Sequence, residues 1–201
     1  MKKIGLFGGT FDPWTKAHQA IVDGVLESKL VDMVIILPTI VDYHRNGKDK
    51  WLSDTDKFKV LYKFIESSKN QGNIFMDFAE IRKKNSGQLS EEEIKNWRFI
   101  NTLERVENLF RESPSLKDSE LFTIIGTDSL RNFKTWHRWE DILKKSKLIA
   151  VCGRDGEVVD TDIEYIPMNI PAELSSTSST EIRNKFKTLG VDAYIDSVFG
   201  E

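Results

Sequence analysis

Ile4-Gly5-Leu6-Phe7-Gly8-Gly9-Thr10-Phe11-Asp12-Pro13-Trp14-Thr15-Lys16-Ala17-His18 carries the chain from an apolar run through two glycines into a periodic stretch. Residues 2–7 read as a buried strand. Ala17, Ala20, Ile21 and Val25 recur at helical spacing and predict a helix from Thr15 or Lys16 to Ser28. Two glycines at a strand end allow a tight turn and a close approach of backbone to ligand. The helix behind them offers unpaired N–H groups and a partial positive charge to an anion. His18 falls in that first turn. Strand, glycine pair, helix start and imidazole together predict a phosphate site with a chemical group aimed into it.

Working outward, Asp32-Met33-Val34-Ile35-Ile36-Leu37 is a second β-branched run, and Pro38 ends it. Strand, helix and strand form a βαβ unit, which implies parallel strands and a right-handed crossover. Further along, Phe58, Leu61, Phe64 and Ile65 mark a helix to residue 67, and residues 73–78 a strand. Ser90-Glu91-Glu92-Glu93 reads as a capping box opening a long helix to about Arg111. Strands follow at 120–125, 148–152 and 164–167, with short helices at 128–133 and 136–144. Ser178 and Glu181 form a second capping box over a helix at 178–189, and residues 191–199 close as an amphipathic helix.

The alternation predicts one α/β domain over residues 1–201: a Rossmann-like, doubly wound parallel sheet with helices on both faces. An α/β core to about residue 170 precedes a small C-terminal helical part. In such sheets ligands bind beyond the carboxyl ends of the strands, near the reversal of strand order. Gly8-Gly9, His44-Arg45, Gly126-Thr127-Asp128 and Gly153-Arg154 all follow predicted strands.

Composition limits the classes of function. The chain has 201 residues, 39% hydrophobic and 30% charged, with net charge −3. That balance carries no global basic field for nucleic acid. The one cysteine, Cys152, forms no internal disulfide and no zinc-ligand spacing. No apolar stretch approaches the roughly 18 residues that span a bilayer. The apolar run behind Lys2-Lys3 is too short for a signal peptide, so a cytoplasmic location is expected.

No Gly-x-x-x-x-Gly-Lys-Ser/Thr, Gly-x-Gly-x-x-Gly or Gly-x-Ser-x-Gly motif is present. Instead there are two anion-type sites, one at each end. The second, Ser178-Ser179-Thr180-Glu181-Ile182-Arg183, places hydroxyls and N–H groups at a helix start with an Arg one turn in.

With these motifs the sequence resembles the nicotinate/nicotinamide mononucleotide adenylyltransferases of the nucleotidyltransferase superfamily. Gly8-Gly9-Thr10-Phe11-Asp12-Pro13 matches their opening motif, and Thr15-Lys16-Ala17-His18 is similar to their (Thr/His)-x-Gly-His signature. Residues 178–183 match their Ser-Ser-Thr-x-Ile-Arg signature. Gly126-Thr127-Asp128-Ser129-Leu130 with Trp136 resembles their Gly-x-Asp-x-Leu…Trp segment, and Tyr43-His44-Arg45 their Pro-His-(Lys/Arg) loop. Ala17 replaces the usual Gly, Thr15 stands where this branch more often has His, and Tyr43 replaces Pro.

The resemblance implies AMP transfer from ATP to a pyridine mononucleotide, with pyrophosphate leaving. Related acceptors (phosphopantetheine, flavin mononucleotide, a polyol phosphate) and a catalytically weak nucleotide-binding regulator are the alternatives. His18, Thr15, Arg183 and Arg45 are then the catalytic candidates. Gly8, Gly9, Thr10, Phe11, Ser178, Ser179 and Thr180 join His18 and Arg183 as ATP-binding candidates. His44 and Arg45 would neutralise the mononucleotide phosphate. Gly126, Asp128 and Trp136 are substrate-binding candidates: Asp128 a ribose acceptor or an N-cap, Trp136 a stacking plate or a core residue. Mg²⁺ is expected to be held mainly by ATP and water, with no protein ligand. Expected partners are small molecules, not nucleic acid or membrane; a homo-oligomer stays open.

Overall fold

The structure is a computed structural model that describes residues 1–39, 51–79, 86–87, 105, 107, 110–136, 138–152, 159–175 and 178–200. In chain order these give β1 (Lys3–Gly9), α1 (Lys16–Glu27), β2 (Met33–Pro38), α2 (Asp54–Ser67) and β3 (Ile74–Met76). Then come β4 (Glu120–Gly126), α3 (Thr127–Arg131), α4 (Trp139–Lys145), β5 (Ser146–Cys152) and β6 (Ile166–Asn169). Three helices follow: α5 (Ala172–Ser175), α6 (Ser179–Phe186) and α7 (Gly190–Phe199).

The six strands form one parallel sheet in the order β3-β2-β1-β4-β5-β6. The chain winds outward from β1 through β2 to β3, then returns to the other side of β1 for β4. Strand order therefore reverses between β1 and β4, where a crevice opens beyond the strand ends.

Central parallel strands are covered on both faces, so both parities of their side chains are buried. In β2, Val34 and Ile36 join a large cluster with Phe7, Val22, Val25, Val60 and Phe64, while Ile35 and Leu37 join Ile4, Leu6 and Leu121 opposite. A third cluster, around Ile125, Leu130, Phe133 and Ile142, packs α3 and α4 on β4 and β5. α7 covers α2 and α6 through the Phe64–Phe199 and Phe186–Tyr194 ring pairs.

Several boundaries differ from the sequence expectation. β1 runs to Gly9 because Gly8 and Gly9 pair with Leu37 and Pro38, so the glycine pair finishes the strand. β3 is only three residues long, and β6 lies two residues later than expected, paired to β5 through Ile166 to Asn169. The helix expected at 136 starts at Trp139. A 3-10 turn over Phe133–Thr135 comes first, and Arg138 adopts a left-handed φ of 55°. α5 carries no periodicity long enough to read from sequence. Of the helix opened at Ser90, only residues 105, 107 and 110–112 are described, all helical; its capping box lies outside the described residues.

Candidate active site

Both ends of the chain meet at the crevice. Thr15, extended at φ −128° and ψ 169°, is the N-cap of α1. Its hydroxyl accepts from the His18 N–H at 3.5 Å, and its own N–H donates to His18 Nδ1 at 3.0 Å. This is a capping box with His in the place where Glu or Gln usually stands. A backbone N–H always donates, so Nδ1 must accept. The ring is then neutral and carries its proton on Nε2.

Phe7, Phe11 and Trp14 surround that ring at centroid distances of 6.1, 5.2 and 5.3 Å. Burial among them lowers the His18 pKa from 6.5 to about 4. Phe11 itself sits at φ 46°, a conformation that costs a bulky residue on the order of 1–3 kcal/mol. Packing against Trp14 at 4.7 Å and Phe7 at 5.3 Å holds it there.

The two glycines have separate reasons. A Cβ on Gly9 would lie 2.6 Å from the Phe11 ring; a Cβ on Gly8 would meet nothing within 4 Å and would enter open space.

The C-terminal motif closes on this loop. Ser178 caps α6, with its hydroxyl accepting from Glu181 N at 3.1 Å and its N–H donating to the Glu181 carboxylate at 3.2 Å. Three successive carbonyls of the loop then accept from the C-terminal helices. Asp12 O accepts from Arg183 Nη1 at 2.6 Å, Pro13 O from Ser179 Oγ at 2.9 Å, and Trp14 O from the Tyr194 hydroxyl at 2.8 Å. Arg183 also donates to Thr180 Oγ1 at 2.8 Å.

Asp12 is only 2% exposed. Its carboxylate accepts from the N–H groups of Trp51 at 3.0 Å and Leu52 at 2.8 Å. On the other side, Thr39 O accepts from the buried Lys57 at 2.9 Å, and Leu37 O and Pro38 O each accept from Arg105 at 3.3 Å. Arg105 is paired with Asp77 at 3.2 Å. The segment after β2 is thus fixed at Thr39 and again at Trp51. The expected site residues His44 and Arg45 fall between those points in sequence and lie outside the described residues; Gly153 and Arg154, after β5, also lie outside them.

Two adjoining hollows open at the crevice. One, of about 230 Å³, is lined by Gly8, Gly9, Thr10, Phe11, His18, Ser179 and Arg183, with Phe7 and Asp12. The other, of about 240 Å³, is lined by Thr15, Ala17, His18, Gly126, Asp128 and Ser178 among others. His18 and Ser179 line both, so the N-termini of α1 and α6 converge on one space, each adding partial positive charge. Arg183 brings a full charge. A larger hollow of about 700 Å³ lies along β2 and β3 and contains none of the expected site residues.

The structure brings together most of the candidates and separates two. Thr180 holds Arg183 and lines neither hollow. Trp136, expected near substrate, lines neither hollow: it is half-buried and packs against Phe133 at 5.1 Å beside the α3–α4 cluster, after the 3-10 turn. Asp128 borders the second hollow and accepts from Arg131 at 3.0 Å, while Gly126 occupies the N-cap of α3. Thr15 is fully buried and engages His18. Tyr194 and the Asp77–Arg105 pair were not singled out from sequence; their partners lie 180 and 28 residues away.

The profile of the cytidylyltransferase-like family matches residues 6–185. The chain belongs to the cytidylyltransferase-like family. Within it, the chain is 31% identical to a protein of Fusobacterium nucleatum named "probable nicotinate-nucleotide adenylyltransferase", over 92% of this chain and 88% of that one. It is 26% identical to the nicotinate-nucleotide adenylyltransferase of Bacillus subtilis, covering 94% and 87%. The fold is that of Plasmodium falciparum nicotinic acid mononucleotide adenylyltransferase complexed with NaAD. There the TM-score is 0.69 at 19% identity, covering 100% of this chain and 98% of that one. Among the described residues of this family member, no helix is long and apolar enough to cross a membrane.

Proposed function

We propose that this chain transfers the AMP moiety of ATP to nicotinate mononucleotide and releases pyrophosphate. One observation carries the reading: a neutral imidazole, a buried guanidinium and two helix N-termini line the same space at the switch point. The nicotinate-nucleotide adenylyltransferases named above supply the substrate class.

The chemistry asks for donors rather than a base. A phosphate monoester is largely dianionic at neutral pH, since its second pKa is about 6. Its oxygen can attack the α-phosphorus of ATP without losing a proton. The bond from the α-phosphorus to the bridging oxygen breaks, and pyrophosphate leaves with that electron pair. Charge grows on the oxygens in flight, so fixed donors give the larger share of the acceleration.

His18, neutral with Nε2–H free of the capping box, is suited to donate to the α-phosphate. Arg183, Ser178, Ser179 and the N–H groups of α6 suit the β- and γ-phosphates. Gly8 leaves room for backbone contact, Gly9 and Thr10 line the same hollow, and Thr15 acts through His18. His44 and Arg45 take the mononucleotide phosphate, and Asp128 a ribose hydroxyl. Mg²⁺ would be held by the ATP phosphates and water and would offset their charge. Asp12 is already committed to two N–H groups, and among the described residues no cluster of His, Cys, Asp or Glu could hold a metal.

Pyrophosphate release from ATP and Mg²⁺ tests this, measured with nicotinate mononucleotide, nicotinamide mononucleotide, flavin mononucleotide and phosphopantetheine side by side. The highest kcat/KM is expected with nicotinate mononucleotide. Release with flavin mononucleotide or phosphopantetheine but neither pyridine substrate would overturn the acceptor; ATP binding without release for all four would overturn the enzyme.

A further inference from the structure

We propose that Tyr194 is a positioning residue for His18, acting through the single peptide unit that joins Trp14 to Thr15. The kinetic part of this inference rests on the reaction proposed above.

The carbonyl of Trp14 and the N–H of Thr15 belong to one rigid plane and point in opposite directions. Tyr194 donates to that carbonyl at 2.8 Å, and the N–H donates to His18 Nδ1 at 3.0 Å. Two consequences follow. Fixing the carbonyl fixes the direction of the N–H that meets Nδ1, beside the Thr15 hydroxyl, which also lies 3.0 Å from that nitrogen. A hydrogen bond accepted at the oxygen also polarises the amide and strengthens its N–H as a donor, as in any chain of hydrogen bonds in a low-dielectric interior. Both effects hold His18 in the tautomer with Nε2–H.

The surroundings suit a permanent donor. Tyr194 is 1% exposed, between Phe186 at 5.4 Å and Trp51 at 6.1 Å. Burial pushes its phenol above the usual range, so the hydroxyl keeps its proton at any working pH. It has one hydrogen to give, and gives it to Trp14 O. Arg183 and Ser179 hold the two preceding carbonyls, but neither shares a peptide unit with the Thr15 N–H. Tyr194 reaches His18 through the peptide unit that carries that N–H.

The test is ¹⁵N NMR of histidine-labelled protein at pH 7.5, with the His18 signals assigned by their loss in His18→Gln. Wild type should show the Nε2–H tautomer; the Nδ1–H tautomer there would overturn the proposal before any variant is made. Tyr194→Phe, which removes one oxygen, should give a mixture of tautomers. It should lower kcat by roughly 10- to 100-fold with little change in KM for ATP, the scale known for outer-shell partners of metal-bound histidines. In a His18→Gln background the same change should cost nothing further. Phe186→Leu controls for stability: it loosens the ring packing on Tyr194 but keeps the hydroxyl, so it should lower Tm and leave the tautomer alone. Additive kcat losses, an unchanged tautomer in Tyr194→Phe, or an equal tautomer shift in Phe186→Leu would each refute the relay. A wild-type chain with the expected tautomer but no adenylyl transfer would sink the proposed reaction and leave the relay standing.

Discussion

Asp12→Asn tests how the two halves of the site are joined. The Asp12 carboxylate is buried and accepts two backbone N–H groups, from Trp51 and Leu52, with one oxygen each. An amide of the same shape keeps one acceptor and turns a donor toward the other N–H. That N–H is left unsatisfied, at about 1–3 kcal/mol. The remaining bond loses its charge assistance, worth about 1 kcal/mol more. The total is about 2–4 kcal/mol. A chain of 201 residues unfolds with an entropy of about 0.4 kcal/mol/K, so Tm should fall by about 5–10 °C. The same change frees the return of the chain at Trp51, after the stretch that carries His44 and Arg45. KM for the mononucleotide should therefore rise more than KM for ATP. Calorimetry gives the first quantity and initial-rate kinetics in both substrates the second. A Tm within 1 °C of wild type, or a rise confined to ATP, would show that Asp12 does not tie the segments together.

His18→Gln should cut turnover about 100- to 1,000-fold, the scale of one lost donor to developing charge, with folding retained by circular dichroism. Because His18 titrates near 4 in the folded protein and 6.5 when unfolded, the unfolded chain alone takes up a proton between those values. Stability should thus be full above pH 6.5 and fall by about 3 kcal/mol toward pH 4; urea unfolding of His18→Gln should lack that part of the decline. Gly8→Ala should change stability by less than about 0.5 kcal/mol while raising KM for ATP. Gly9→Ala should cost about 1–3 kcal/mol by displacing Phe11; equal effects of the two on unfolding and KM would refute their separate roles. Ala17→Gly removes a methyl from the second hollow and should lower KM for ATP while costing about 0.5–1 kcal/mol of helix stability; an unchanged KM would show the methyl to be harmless.

The fold was legible because its signals are local. The unit from β1 through α1 to β2 shows in residues 4–37 as an apolar run, a glycine pair, helical spacing and a β-branched run. Both anion-type helix starts carry short, ordered motifs. The extent of β1 was not legible, since pairing of Gly8 and Gly9 with Leu37 and Pro38 is a property of two strands together. The start of α4 was not legible either, because a left-handed Arg138 has no sequence mark. Trp136 showed an aromatic residue at the right spacing, but only packing distinguishes a plate from a core residue. Asp12 lay inside the opening motif, yet its partners are 39 and 40 residues on, and Tyr194 reads as one ring of an amphipathic helix. Long-range hydrogen bonds of this kind leave no periodicity.

The three carbonyls at residues 12–14 have a consequence for biosynthesis. Each is held by a group from residues 179–194, so the loop that presents His18 leaves the ribosome with its acceptors unmatched. Strands β1 and β2 lie close in sequence and can pair early, since local contacts cost little loop-closure entropy. The hydrogen bonds on the loop carbonyls cannot, because contacts spanning 166 to 180 residues form only after the intervening chain exists. A nascent chain that ends before α7 lacks Tyr194, and with it the group that holds the Trp14 carbonyl. The hydrogen bonds that hold this loop are therefore completed late in synthesis.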